Sequence, residues 1–209
     1  MLTVHHLGLS QSERVVWLCE ELELDYSLVR YDRRADNRLA PDDYKALHPM
    51  GIAPVVSDGP LVLGESGAIL DYIDRRHGGG RFSPDPADAD FAEQLFWFHW
   101  SNGTFMASRM LAMVLKLAGA GAVPFVDDRV ARSRDLVERR LAAAPFFGGD
   151  RLTLADFMMV YSLTTSRAFG GGPLSDMPAT QAYLRRIAQR PGYVRAMAKA
   201  EPGMAPMID

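Results

Sequence analysis

The sequence predicts an α/β domain followed by a larger all-α domain. Three observations carry that expectation. Strand and helix signals alternate up to residue 76, a stretch rich in glycine and proline interrupts them at 77–88, and only helical periodicity follows over 89–209.

The elements follow in order. Leu2 to Leu7 is a short β-prone run, and Gly8-Leu9-Ser10-Gln11 reads as a turn. Ser12 to Leu24 turns helical, with Val15, Leu18, Cys19 and Leu22 at i, i+3, i+4 and i+7. Tyr26 to Tyr31 is a second strand, and Pro41 to Leu47 a short helix ahead of His48-Pro49. The apolar runs Pro54-Val55-Val56 and Leu61-Val62-Leu63 flank Ser57-Asp58-Gly59-Pro60, and Asp-Gly between such runs signals a hairpin. Ala68 to Arg76 has helical spacing at Ile69, Tyr72 and Ile73. This order gives a sheet of mixed strand direction flanked by helices.

Three glycines and two prolines in His77 to Asp88 mark an exposed linker and the expected domain boundary. Beyond it, Phe91 to Leu117 is a long amphipathic run rich in aromatic and Met residues. Pro124 to Ala143, Leu154 to Ala168 and Thr180 to Gln189 supply three more helices, punctuated by Gly148-Gly149, Gly170 to Gly172 and Pro191-Gly192.

Bulk properties narrow the function classes. At 209 residues, 48% hydrophobic and 23% charged, the chain has an ordinary globular composition. A net charge of −3 gives no overall attraction for nucleic acid or anionic lipid. No apolar stretch approaches the roughly 18 residues of a membrane span, and Met1 to Ser10 lacks the pattern of a secretory signal. One cysteine, Cys19, cannot build a disulfide framework, and the five histidines are not spaced as metal ligands. The expectation is a cytoplasmic protein without a metal.

Four segments carry chemistry or its scaffolding. Glu65-Ser66, at a hairpin end and a helix start, suits an α-amino acid head group: Ser66 and the helix N-terminus meet its carboxylate, Glu65 its ammonium. Ser66 as a simple helix cap fits the same residues. Pro54 at a strand start cannot donate to the ladder; a cis Ala53–Pro54 bond would turn the Ala53 backbone outward to pair with an extended peptide. Trans is the commoner state of X-Pro bonds. Ser10 and Ser12 lie where the first strand meets the first helix and can donate to an anion, cap the helix or form the turn. No His/Asp relay accompanies either serine in the local sequence, which argues against serine-hydrolase chemistry. Thr153 and Asp156 form an acidic capping box with Leu152 and Phe157 as its staple, so Asp156 is a folding residue.

The order and spacing of these segments, closed by Gly-Gly-Asp-Arg-Leu-Thr-Leu-Ala-Asp over 148–156, resemble the cytosolic glutathione transferases along essentially the whole chain. Ser10-Gln11-Ser12-Glu13-Arg14 is most similar to the serine-type members, theta-like or bacterial and fungal. The resemblance implies a thioredoxin-like, glutathione-binding domain over 1–76, a linker at 77–88, and an all-helical domain over 89–209 that supplies an electrophile pocket. It implies that Ser10, with Ser12 as runner-up, donates a hydrogen bond to the glutathione thiolate. It gives Glu65 and Ser66 the γ-glutamyl group and Ala53, before a cis Pro54, the cysteinyl backbone. The family's lysine for the glycyl carboxylate is replaced by Ile52, leaving His48, or more remotely Arg38 or Lys45, to substitute. Gly67 stands where arginine or glutamine is common. The electrophile pocket is expected from Leu7, Leu9, Phe105, Met106, Arg109, Met110 and Met113, although a Met-rich stripe also fits plain core. Cys19 is expected buried and inert. The implied activity is attack of glutathione on a small apolar electrophile or a peroxide, in the manner of detoxification, by a cytoplasmic homodimer. A non-catalytic binding protein, or a glutathione-dependent isomerase, dehalogenase or ether-cleaving enzyme, is compatible with the same fold.

Overall fold

The computed structural model describes residues 1–170 and 172–209; residue 171, in the expected glycine break at 170–172, lies outside them. Four strands form one sheet: β1 (Leu2–Leu7), β2 (Ser27–Tyr31), β3 (Val55–Asp58) and β4 (Leu61–Gly64), in the order β2-β1-β3-β4. β1 runs parallel to β2 and antiparallel to β3, with Val4 opposite both Leu28 and Val56. The β3–β4 pair is the expected hairpin. Its helices are α1 (Glu13–Glu21), α2 (Asp42–Lys45) and α3 (Ser66–Arg76).

β1 alternates. Leu2, Val4 and His6 point into the core, which puts one imidazole on an otherwise apolar face. Every residue of α1 is buried, because β1, α3, α7 and α9 surround it. Cys19 is among them, fully buried, and burial pushes its thiol pKa up, so it is a packing residue.

The helical half contains α4 (Phe91–Trp100), α5 (Ala107–Leu117), α6 (Pro124–Ala143), α7 (Leu154–Leu163), α8 (Pro178–Ala188) and α9 (Pro191–Ala200). The run expected as one regular helix over Phe91 to Leu117 widens to π geometry at Ser101–Met106. Such a widening inserts a residue into one turn, and it recurs at functional sites. The helix expected over Leu154 to Ala168 stops at Leu163, where Thr164 adopts φ −118°, ψ −104°, and a 3₁₀ turn continues through Thr165–Phe169.

The α7 capping box is present. The Asp156 carboxylate accepts from the backbone N–H of Thr153 and Phe147 and from the Tyr183 hydroxyl, each at 2.9 Å. Burial still raises its pKa to about 6 against those donors.

Two further sequence expectations need correction. The segment 77–88 is not simply exposed: Phe82 is buried against Phe157 (ring centroids 5.0 Å apart), and the Phe82 N–H and Ser83 hydroxyl donate to Asp74. A glycine- and proline-rich segment can therefore be docked by one aromatic. The second is α9, where Pro191-Gly192 reads as a terminator. Proline at the first helical position is instead a starter, since the N–H it lacks has no helical partner there. α9 lies on α1 through charge: Arg190 donates to Glu21 at 2.8 and 2.7 Å, and Arg195 and Lys199 to Glu20 at 3.1 and 2.5 Å. Gly192 allows the approach, because a Cβ there would sit 2.7 Å from the Glu21 carboxyl carbon.

Candidate active site

β1 ends against the start of α1, and a cleft of about 490 Å³ opens at that junction. Leu7, Ser10 and Gln11 line one wall with Ala53; Met106, Arg109, Met110 and Met113 line the other. Leu9 and Phe105, expected in the pocket, are not on its walls. Leu9, at φ 54°, spends its backbone on Glu201 and Arg33, and Phe105 is core, stacked 5.2 Å from Trp100. Met106, Arg109, Met110 and Met113 fall at i, i+3, i+4 and i+7 on one helix face, whereas Phe105, one residue before them, points to the core.

The two serines separate by depth. Ser10 faces the cleft, whereas Ser12 is fully buried behind it. Their hydroxyls meet at 2.7 Å, and the Ser12 N–H donates to Ser10 Oγ at 3.2 Å. Ser12 Oγ accepts the Leu7 N–H at 3.1 Å and lies 2.9 Å from His6 Nδ1. His6 Nε2 lies 3.2 Å from Glu201 Oε1, which also accepts the Leu9 N–H at 2.5 Å. The fold thus supplies the histidine and carboxylate that the local sequence lacks. Ser10 remains one hydroxyl removed from the imidazole, so the arrangement is not a serine-hydrolase triad.

The Ala53–Pro54 bond is cis. Near it, Lys45 and Gly51 line the cleft, while Ile52 and His48 do not. His48 Nδ1 accepts the Met50 N–H at 3.2 Å, and its other ring edge packs toward Gly64. Arg38 does not line the cleft either; its carbonyl accepts from Arg33 at 3.0 Å.

Ser66 is not the cap of α3 but its first residue; the cap is Glu65, held at φ 70°, ψ 119°. A non-glycine residue with such backbone angles is strained and is typical of a site rather than a scaffold. Glu65 is exposed and opens onto an adjoining hollow between α3 and α4, beside Gly67 and Asn102. Ser66 is buried, donating to Gln11 Oε1 at 3.2 Å and accepting from Arg14 Nη1 at 3.1 Å. Arg14, fully buried over the Tyr161 ring, also binds Gln11, Asn102 and Ser162. One guanidinium therefore ties α1, the Glu65-Ser66 turn, the π segment and α7 together.

Comparison with known proteins is decisive for the family. The family model described as glutathione S-transferase, N-terminal domain, matches residues 2–75, and that of the C-terminal domain matches 112–191. Glutathione S-transferase 3 of Zea mays is 30% identical over 88% of this chain and 87% of its own. The chain belongs to the glutathione S-transferase family. Glutathione S-transferase 3 of Schizosaccharomyces pombe is 29% identical, over 96% of this chain and 88% of its own. Among solved structures, a glutathione S-transferase from Actinobacillus pleuropneumoniae superposes with a TM-score of 0.86 at 33% identity, covering 96% and 93% of the two chains.

The cleft of this glutathione transferase is cationic, and of its basic residues Lys45 and Arg109 were expected from the sequence while Arg33 was not. Arg33, Lys45 and Arg109 reach the cleft, and no carboxylate does among the described residues. Arg33 is fixed by donating to the carbonyls of Gly8 and Leu9 at 2.8 and 3.3 Å. Arg109 donates to the Ser162 carbonyl and lies over the Phe105 ring. Burial, with Arg134 and Arg167 nearby, pushes its pKa down, the sign of a cation lacking a carboxylate. Behind the cleft, burial raises the pKa of Glu13 to about 8, and its Oε2 has no hydrogen-bond partner among the described residues. Arg33 and Glu201 had no local signal, since each depends on a distant element. His6 had one, as the third inward position of β1.

Proposed function

We propose that this glutathione transferase holds the thiolate of glutathione on the Ser10 hydroxyl and delivers it to a small electrophile on the methionine wall. The observation that carries the reading is the placement of Ser10: it is the hydroxyl at the start of α1 that opens onto the cleft, opposite Met106, Met110 and Met113. A thiol of pKa about 8.5 is mostly protonated at neutral pH, and only the thiolate attacks. Lowering that pKa by about two units requires roughly 2.7 kcal/mol in favour of the anion. One hydrogen bond to a charged group contributes about 1.5–3 kcal/mol, and the α1 N-terminus adds up to about 1 kcal/mol. The magnitudes suffice.

In this reading residues 1–76 hold glutathione, 77–88 connect, and 89–209 supply the electrophile wall. Ala53 pairs with the cysteinyl backbone, Glu65 and the Ser66 turn take the γ-glutamyl group, and Lys45 replaces the lysine missing at Ile52. The cationic walls favour an electrophile that carries an acidic group on an apolar body. Leu95 and Phe96 are exposed on α4 beside the hollow that Glu65 borders, and a second copy covering them gives a homodimer. The cytoplasm is its compartment.

The test is an ultraviolet difference titration of enzyme-bound glutathione. A thiol pKa unchanged in Ser10→Ala removes Ser10 from the mechanism, and a monomer mass in sedimentation removes the dimer.

A further inference from the structure

We propose that the proton of the glutathione thiol passes through Ser10 and Ser12 to His6, with Glu201 holding the imidazolium that results. The inference rests on Ser10 contacting the thiol. Its own observation is the unbroken buried chain from Ser10 to Glu201, with heavy-atom separations of 2.7, 2.9 and 3.2 Å.

Donors and acceptors along the chain match in two opposite directions without any heavy atom moving. Before transfer, His6 is neutral and donates Nε2–H to Glu201. Its Nδ1 lone pair accepts the Ser12 hydroxyl, and Ser12 Oγ accepts from Leu7 N–H and from Ser10. After transfer the thiol S–H bond is broken and its proton is on Ser10; the former Ser10 proton is on Ser12, and the former Ser12 proton is on His6 Nδ1. Three O–H or N–H bonds form as three S–H or O–H bonds break. Charge balances, as thiolate and imidazolium appear together. Now Nδ1–H donates to Ser12, Ser12 donates to Ser10, and Ser10 donates to the thiolate. In both directions Ser10 Oγ accepts the Ser12 N–H and Glu201 Oε1 accepts the Leu9 N–H. A chain that is satisfied in both directions can reverse; one satisfied in a single direction only positions.

The titratable and charged groups near Glu201 are Glu13 from α1, Arg33 after β2, and Tyr161 from α7. Glu201 is the carboxylate in contact with the ring. His6 touches no substrate and acts through Ser12, so its assignment needs a proton count rather than a rate.

The experiment binds glutathione to the full-length protein at pH 7. It measures thiolate by ultraviolet absorbance and proton release by calorimetry in two buffers of different ionisation enthalpy. The wild type is expected to form more thiolate than the protons it releases, because the difference stays on His6. Glu201→Gln keeps both hydrogen bonds and loses the charge. It is expected to form several-fold less thiolate and to release one proton per thiolate, with glutathione affinity falling only by the linked fraction. His6→Asn should do the same. One proton released per thiolate in the wild type overturns the relay, and that measurement depends on no variant folding. If Ser10→Ala abolishes the thiolate while the wild type releases one-for-one, Ser10 stands and the relay falls. If Ser10→Ala leaves the thiolate unchanged, both fall.

Discussion

Ser10 and Ser12 touch hydroxyl to hydroxyl at 2.7 Å, and only Ser10 faces the cleft. The two serines should therefore fail differently. Ser10→Ala should lower kcat/KM toward an activated aryl halide by about 10–100-fold, the equivalent of one charge-assisted hydrogen bond, with the fold intact. Ser12→Ala leaves the buried Leu7 N–H without its acceptor. It should cost about 1–3 kcal/mol of stability in denaturant unfolding.

Lys45 reaches the cleft where the sequence has no basic residue at Ile52. Lys45→Met should raise the glutathione Kd by roughly tenfold, about 1.5 kcal/mol, and leave the bound thiol pKa unchanged. Calorimetric titration reads both quantities apart. His48→Ala should change neither, since His48 is turned to the Met50 backbone.

Arg109 borders the methionine wall without a carboxylate partner among the described residues. Arg109→Met should reduce kcat/KM for a carboxylated aryl halide by about tenfold relative to its neutral analogue. Equal losses on both substrates would show that the charge is not read.

Glu13 is buried with its pKa raised to about 8 from a model-compound 4.5, chiefly by desolvation. The sign follows from which state binds the proton. Below pH 4.5 both folded and unfolded chains hold it. As pH rises toward 8 the unfolded chain loses it while the folded one keeps it, so stability drains away over that window and levels off above it. Glu13→Gln copies the protonated form. Its unfolding free energy should match the wild type at low pH and exceed it increasingly up to about pH 8, in parallel denaturant titrations.

Gly148 faces the capping box of α7. A Cβ there would meet Thr153 Oγ1 and Cγ2 at 2.5 Å, and Thr153 is fully buried. Gly148→Ala should destabilise by about 1–3 kcal/mol, visible as a lowered Tm.

The sheet, α6 and the α7 cap were legible in the sequence because local rules fix them: alternation in Leu2–Leu7, Asp-Gly in the hairpin, and Thr153 with Asp156 three residues on. α9 was missed since Pro191 obeys two opposite rules, and its partners Glu20 and Glu21 lie 170 residues away. Phe91–Leu117 shows as helix, but its apolar residues cover more than one face, so the pattern does not tell the cleft face of Met106, Met110 and Met113 from the core face of Phe105. Ser10 and the cis Ala53–Pro54 bond followed from family resemblance. Lys45 was named only as a remote substitute behind His48, while Arg33 and Glu201 reach the site through tertiary approach, for which neither periodicity nor motif spacing has a signal.

Glu201 comes from beyond the last helix, yet its carboxylate closes the Leu9 turn just ahead of Ser10. The turn ahead of Ser10 thus takes its closing contact from a residue 192 positions later, so loosening the chain after α9 should be felt at the first serine rather than only where the change is made.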